Sequence, residues 1–365
     1  MDENKELTHI EGTRIEVLSD RIAQLMAEAR NRIAVAVNTA MVYTYYEIGR
    51  YIVEDEQEGE YRAKYGKQVL VELSGKLTEK LGKGWSVENL TLIRKFYLAY
   101  SNSVNSVYEI QTKNGKQCLP NFTLPWSHYL VLMRVDNPEA RSFYEIEAQK
   151  QQWSKRQLQR QIGSSLYERL ALSRDKDEIM RLAREGQTIE KPSDIIKDPL
   201  VLEFVGLKPD ASYTETAIES AIIDKLQQFL MEMGKGFLFE ARQKRFTFEE
   251  RHFFVDLVLY NRLLQCYVLV DLKMDDLTHQ DLGQMQMYVN YYDRYVRQEF
   301  EKPTIGILLC ERKNEALVEL TLPKDANIYA QQYALYLPDK NLLQQKLQMW
   351  ITEQNKQIDN QIIKK

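Results

Sequence analysis

His252-Phe-Phe-Val-Asp256-Leu-Val-Leu-Tyr260 and Tyr267-Val-Leu-Val-Asp271-Leu-Lys273 decide the reading of this chain. Asn261-Arg-Leu-Leu-Gln265 joins them, so two aliphatic-aromatic runs around a short turn predict adjacent strands of a hairpin. Apolar residues fill alternate and intervening positions, which predicts a hairpin covered on both faces. A carboxylate in such a strand loses solvation worth several kcal/mol unless a cation or hydrogen-bond donors replace it. Asp271 and Lys273 are two apart and leave the same face of their strand. Asp256 reaches that face from the neighbouring strand, about 5 Å away. Paired carboxylates suit Mg²⁺ or Mn²⁺, hard ions that prefer oxygen ligands, and the lysine adds charge beside a phosphoryl oxygen or attacking water.

The elements flanking the hairpin extend the site. Thr214 caps a predicted helix with Ile218, Ile222, Leu226, Phe229 and Met233 at helical spacing, ended by Gly234 and Gly236. Glu219 lies on the flank of that stripe and is a candidate third carboxylate; Glu215, one turn earlier, is a weaker one. On the next helix, predicted over about 280–298, Gln284 and Tyr288 stand at i and i+4 and share a face. Three strands (237–248, 252–260, 265–273), a helix, the strand Thr304-Ile-Gly-Ile-Leu-Leu-Cys310, a strand over 327–336 and a helix over 341–353 predict an α/β sheet flanked by helices.

The first half reads as helices. Trp-Ser occurs at 85–86, 126–127 and 153–154, each time with an aliphatic four residues after the serine (Leu90, Val131, Leu158). That is the hydrophobic-staple pattern, and Gln157 completes a capping box at the third. Helices are therefore predicted to start near 87, 128 and 155, with another at Asn137-Pro138. Apolar runs predict helices over 33–52 and 69–81, the second closed by Gly82, and the polar 102–121 stretch reads as a loop. Pro192, Pro199 and Pro209 then interrupt any helix. The expected organisation is a mainly α-helical domain over 1–185, a linker over 186–212 whose segment Leu200 to Leu207 is left open to pack on the second domain, the α/β domain over 213–355 and a tail over 356–365.

With 365 residues, 44% of them hydrophobic, the chain can bury substantial cores. A net charge of −4 excludes no nucleic-acid partner, because basic residues can be confined to patches. Cys118, Cys266 and Cys310 lack a Cys-x-x-Cys pair, and the last two lie in apolar runs, so free thiols in a reducing, cytoplasmic setting are expected. The charged start, Met-Asp-Glu-Asn-Lys-Glu, reads as no signal peptide, and no run approaches a membrane span.

Asp256 followed by Asp271-x-Lys273, on a strand pair after a Glu-bearing helix, resembles the PD-(D/E)xK nuclease superfamily. Gln284-x-x-x-Tyr288 resembles an element of several of its branches. Together with Trp126-Ser-His-Tyr, Trp153-Ser-Lys-Arg-Gln-Leu and Tyr167-Glu-Arg-Leu, the chain looks more closely like the YhcG-type family, which joins an N-terminal helical domain to such a nuclease domain. The resemblance implies a restriction-endonuclease-like mixed sheet and metal-dependent hydrolysis of phosphodiester bonds in nucleic acid, DNA first. It implies that Glu219, Asp256, Asp271 and Lys273 are catalytic, the three acids hold Mg²⁺ or Mn²⁺, and Gln284 and Tyr288 support them. Two departures are Asp271, where Glu is common, and Val255, where Pro is common.

Lys244 and Arg245 beside the first strand, and Lys155, Arg156 and Arg160 on one side of the helix after Ser154, are candidate nucleic-acid contacts. The helical group can equally be a solvated face, and Lys244 and Arg245 have the better claim by proximity to the site. His279 carries no assigned chemistry. The competing function is a non-cleaving nucleic-acid-binding or adaptor subunit of a restriction, defence or mobile-element system. An unbalanced pair of buried acids argues against it. Expected partners are nucleic acid, a protein of such a system and a second copy of this chain, with no membrane.

Overall fold

The computed structural model describes residues 3–58, 64–101, 120–172, 174, 176–207, 213–313, 315–323, 326–347 and 349. The chain divides into two compact units, Met1–Leu158 and Gln159–Lys365. The expected loop over 102–121 falls mostly outside the described residues, as do Cys118 and the 356–365 tail.

The first unit is helical: α1 (Glu3–Glu58), α2 (Lys64–Leu81), α3 (Val87–Ser101), α4 (Trp126–Leu132) and α5 (Pro138–Lys150). α1 is far longer than the apolar run over 33–52, because no Gly or Pro interrupts residues 13–48. Gly49 lets α1 and α3 touch: a Cβ there would lie 2.6 Å from the Ile93 carbonyl oxygen. Phe96 anchors a core of rings, with Tyr46, Tyr100, Phe122, Trp126 and Tyr129 centred within 6.1 Å of it. Glu145 is buried in this unit, accepting a hydrogen bond from the Tyr129 hydroxyl at 3.0 Å. The helix starts follow the caps, as at Asn137, whose side chain accepts from two backbone N–H groups. The middle staple differs: α4 begins at Trp126 itself with Pro125 at its N-cap, and the indole packs on Tyr45 and Phe96.

α6 (Lys155–Gly163) carries the expected capping box, with Ser154 and Gln157 exchanging backbone-to-side-chain bonds. Then come α7 (Leu166–Ala171), α8 (Lys176–Glu185), β1 (Leu200–Val201), α9 (Glu215–Asp224), α10 (Leu226–Met233), β2 (Phe237–Phe248), β3 (Arg251–Asn261), β4 (Cys266–Asp276), α11 (His279–Tyr295), β5 (Ile305–Arg312), α12 (Glu315–Thr321) and β6 (Ile328–Ala334). Residues 340–347 are helical. The single helix expected after Thr214 is two, broken at Lys225, whose φ −118° and ψ 30° leave helical space.

Six strands form one sheet in the order β1-β6-β5-β4-β3-β2. β2, β3 and β4 are an antiparallel meander; β5, β6 and β1 add on in parallel. Alternation on the central strands explains the cover on both faces. Leu257, Leu259, Val268, Val270 and Leu272 pack with Ile218, Ile222, Phe229 and Met233 of α9 and α10. Val258, Leu269, Leu308 and Cys310 pack with Leu282, Met285, Val289 and Tyr292 of α11. Each fully buried aliphatic contributes roughly 1.5–3 kcal/mol. Cys266 and Cys310 are buried free thiols, as expected.

The stretch expected to be a linker is built into the second unit. Val201 pairs with Ala334 at the sheet edge, and Ile195, Leu200 and Leu202 are buried in its core. α7, expected within the helical domain, is tied to α10 inside the second unit. Arg169 and Glu232, both fully buried, are joined at 2.6 Å. Glu232 also accepts from the Val201 backbone N–H and from Arg160, and Lys197 donates to its carbonyl. Burial alone would raise the Glu232 carboxyl, but the charges of Arg169, Lys197 and Arg160 overcome it and hold it at about 2. The prolines therefore mark irregular backbone, and the compact units divide between Leu158 and Gln159.

Candidate functional site

The β3–β4 ladder runs from Asn261↔Cys266 to Leu257↔Val270 and stops there. The next facing pair is Asp256 and Asp271. At this point Asp256 Oδ2 accepts the Leu272 N–H at 2.8 Å, so a side chain takes the place of a backbone partner as the strands separate. Asp271 and Lys273 alternate with Val270 and Leu272, which pack with α9 and α10, so both leave the opposite face of β4 with Leu269, while Asp256 turns into the gap where the strands part.

Asp271 is 3% exposed and meets Lys273 Nζ at 2.8 Å through Oδ2. Its Oδ1 accepts no hydrogen bond among the described residues. Burial, then the charge of Asp256, push the Asp271 carboxyl up to about 7 against the pull of Lys273. Burial disfavours the Lys273 charge, but Asp271, Glu215 and Asp256 outweigh it and raise its pKa. The lysine is therefore a fixed cation at neutral pH.

Glu219 is buried on α9. Its Oε1 accepts from Arg242 Nε at 2.6 Å and its Oε2 from Gln243 Nε2 at 2.7 Å. The same Gln243 amide reaches Asp256 Oδ1 at 3.0 Å. Glu219 is thus joined to Asp256 through an amide, not placed directly beside it. Gln243 was missed by sequence reasoning; it sits at φ 47°, a left-handed conformation that a strand glutamine does not announce. Glu215 is among the charges acting on both Asp271 and Lys273.

On α11, Thr278 and Asp281 form a reciprocal capping box, and His279 is the first helical residue. The Gln284 amide donates to the Tyr288 hydroxyl. Burial raises the Tyr288 phenol, and the charges of Asp271, Lys273 and Asp256 also reach it. The helix therefore aims this pair at the carboxylates.

The basic candidates divide. Lys155, Arg156, Lys244 and Arg245 are exposed, and Arg245 Nη2 lies 2.9 Å from the His252 ring. Arg160 corrects the expectation of a solvent-facing contact. Its guanidinium grips both Glu203 oxygens at 2.8 and 3.1 Å, bonds Glu232 and lies over Phe204.

Among the described residues no three His, Cys, Asp or Glu side chains gather as a metal-ligand group. The donor set still fits Mg²⁺ or Mn²⁺, because such ions are held by one or two carboxylates and complete their shell with water and substrate phosphate. The charge of Asp256 acts against the buried Asp271 carboxylate, and a divalent cation would offset that repulsion.

The same charge imbalance sets a stability test. An acid whose folded pKa lies above its ordinary 3.8 stabilises the fold while protonated; that contribution is full below about pH 4 and lost as pH rises through about 7. Asp271→Asn removes the loss. In chelator, urea denaturation at pH 8 should show the variant roughly 1–2 kcal/mol more stable than the native chain, the gain vanishing towards pH 4. Equal stabilities at pH 8 would contradict the strained pair.

A mixed sheet with two acids and a lysine where β3 and β4 part is the layout of a PD-(D/E)xK nuclease domain. Residues 193–348 match the YhcG PDDEXK nuclease domain, and residues 21–169 match the DUF1016 N-terminal domain. The chain is 38% identical over 349 residues to the protein named "Putative nuclease YhcG" of Escherichia coli (strain K12), covering 90% of this chain and 92% of that one. The chain belongs to the YhcG family. Among solved structures, a repair endonuclease from Pyrococcus abyssi aligns with 36% of this chain at 21% identity and a TM-score of 0.24. The EndoMS–dsDNA2 complex aligns with 37% at 15% identity and a TM-score of 0.25. These two alignments span about half of each solved chain, 50% and 51%. Among the described residues no helix is long and apolar enough to cross a membrane.

Proposed function

We propose that this protein is a divalent-metal-dependent nuclease that hydrolyses phosphodiester bonds in nucleic acid, with DNA the first substrate to test. The observation that carries the reading is the convergence of Asp256 and Asp271 beside Lys273, in a setting dry enough to push Asp271 up to about 7. A fold that keeps two acids in repulsion gains nothing from them structurally; a site that takes up a cation and a phosphate does.

Asp256 and Asp271 would hold Mg²⁺ or Mn²⁺, which supplies positive charge to the phosphoryl oxygens of a bound backbone ester. Lys273, cationic and 18% exposed at its side chain, stabilises the charge that grows on the phosphate as the ester is displaced. Glu219 acts through Gln243, which fixes Asp256 in place. Gln284 and Tyr288 donate towards the same face. Lys244 and Arg245 on β2 stand as backbone contacts in the same unit as the acids, with Lys155 and Arg156 as a separate exposed pair.

Purified full chain is mixed with duplex, branched and single-stranded DNA and with RNA, each with Mg²⁺ or Mn²⁺. Cleavage of at least one substrate is expected, and it stops when the metal is removed by chelation. Binding without cleavage in both metals would sink this reading and leave the non-cleaving adaptor.

A further inference from the structure

The outer side of α11 and strand β2 line a cavity of about 310 Å³. Phe246, Phe248, Tyr291 and Tyr295 line it, with Gln286, Asn290 and Arg294 at its polar side. Gly283 stands on its wall, and a Cβ there would meet nothing within 4 Å, so the glycine leaves open space. Helical spacing explains the position. Gln284, Tyr288, Tyr291 and Tyr295 fall at i, i+4, i+7 and i+11 and make one stripe; Gly283, Met287, Asn290 and Arg294 repeat that spacing one residue earlier. One stripe thus begins at the candidate site and ends in the cavity, and Phe246 touches Tyr288 edge-on at 5.5 Å.

The rings are already stacked. Phe246 lies 4.1 Å from Tyr291 at 21° and 5.4 Å from Phe253 at 25°, so three planes are nearly parallel. Phe248 and Tyr295 are 43% and 63% exposed, large aromatic surface for a monomer to leave in water. Gln286 donates to Asn290 at 3.3 Å, which uses one amide donor and one amide acceptor and leaves the Gln286 oxygen and the Asn290 amide protons outside that bond on two residues that line the cavity. Arg294 is the one charged residue lining it and has no ion-pair partner among the described residues.

We propose that this cavity takes an unpaired nucleobase of the substrate strand, stacked on the aromatic wall and hydrogen-bonded by the amides, with Arg294 on the adjoining phosphate. Flat faces, amides with both polarities and a single cation match a nucleotide better than an aliphatic side chain, which uses neither the amides nor the charge. A base inside a duplex cannot reach the rings. The substrate is therefore nucleic acid with single-stranded character next to the cleaved bond. This assignment rests on the nuclease reading of the neighbouring acids.

Binding is measured on the full chain in chelator, where cleavage is stopped, with single-stranded DNA and RNA oligonucleotides carrying 2-aminopurine and with a fully paired duplex. Stacking quenches the 2-aminopurine emission on binding, and single strands bind more tightly than the duplex. Phe248→Ala and Tyr295→Ala each weaken single-strand binding about tenfold or more, the scale of one lost base–aromatic stack. Tyr295→Phe, which keeps the ring, restores it. Unchanged affinity in both alanine variants, equal binding of duplex and single strand, or no binding of any strand overturns the proposal; the last points to a protein occupant. Neither side chain is buried, so both variants should melt like the native chain. If metal-dependent cleavage persists in Asp256→Ala while the alanine variants lose binding, the nuclease assignment of the acids fails and the base pocket stands.

Discussion

Asp256→Ala lowers metal-dependent cleavage about 10³-fold or more while leaving the fold intact. Asp256 is the hub of the site: it accepts from Leu272 and Gln243, and its charge bears on Asp271. On the proposed reading one of the two acids that would hold the cation is then gone, and loss of a single charge-stabilising group already costs on the order of 10²–10³ in rate. Stability behaves differently. The orphaned Leu272 N–H costs about 1 kcal/mol, and relief of the repulsion on Asp271 offsets it. Activity should therefore collapse with the melting temperature within a few degrees of native, measured by a cleavage assay and thermal denaturation on one preparation. Loss of both together would mark Asp256 as merely structural. Persistence of cleavage would remove it from the chemistry.

Glu232→Gln acts in the opposite way and should produce the largest loss of stability. The variant keeps the shape of the side chain and leaves Arg169 charged, fully buried and without its counter-ion. Removing one partner of a buried pair costs about 3–5 kcal/mol, against about 0–1 kcal/mol for pairs at the surface. For a unit of this size the melting temperature should fall on the order of 10 °C. Asp276→Asn is the control, because the Arg312–Asp276 pair is more than two-thirds exposed on each side and should cost little. A Glu232→Gln chain as stable as the control would show that packing, not the ion network, holds α7 and β1 to α10. The carboxyl is held at about 2, so its contribution is present above about pH 4.5 and lost only as pH falls towards 2. The comparison is therefore made at neutral pH.

The hairpin and the core of its site were legible because their information is local. Two apolar runs and a short turn fix β3 and β4, and Asp271 and Lys273 share a face by the period of the strand alone. Gln284 and Tyr288 share one by the period of the helix. The caps at Ser86, Asn137, Ser154 and Thr214 were readable too, since a cap is a contact over two or three residues. Asp256 needed one further step, the antiparallel register, which the turn between the strands supplies.

What stayed hidden depends on partners distant in the chain. β1 is two residues long and has no signature of its own; it exists because β6 offers an open edge. Arg160 looked like part of a basic surface until folding brought Glu203 and Glu232 against it. Gln243 gains its place from a left-handed backbone within β2, and it ties Glu219 to Asp256 in a way no spacing encodes.

The sequence alone determined which residues carry charge, which strands hold them and which faces those residues share, because periodicity and turn chemistry act over a few residues. Only the tertiary structure decided that Asp256 and Asp271 meet where their ladder ends, that one amide links Glu219 to them and that a wall of rings lies alongside. Those outcomes come from packing and desolvation between distant segments, whose energies appear only once the chain has closed on itself.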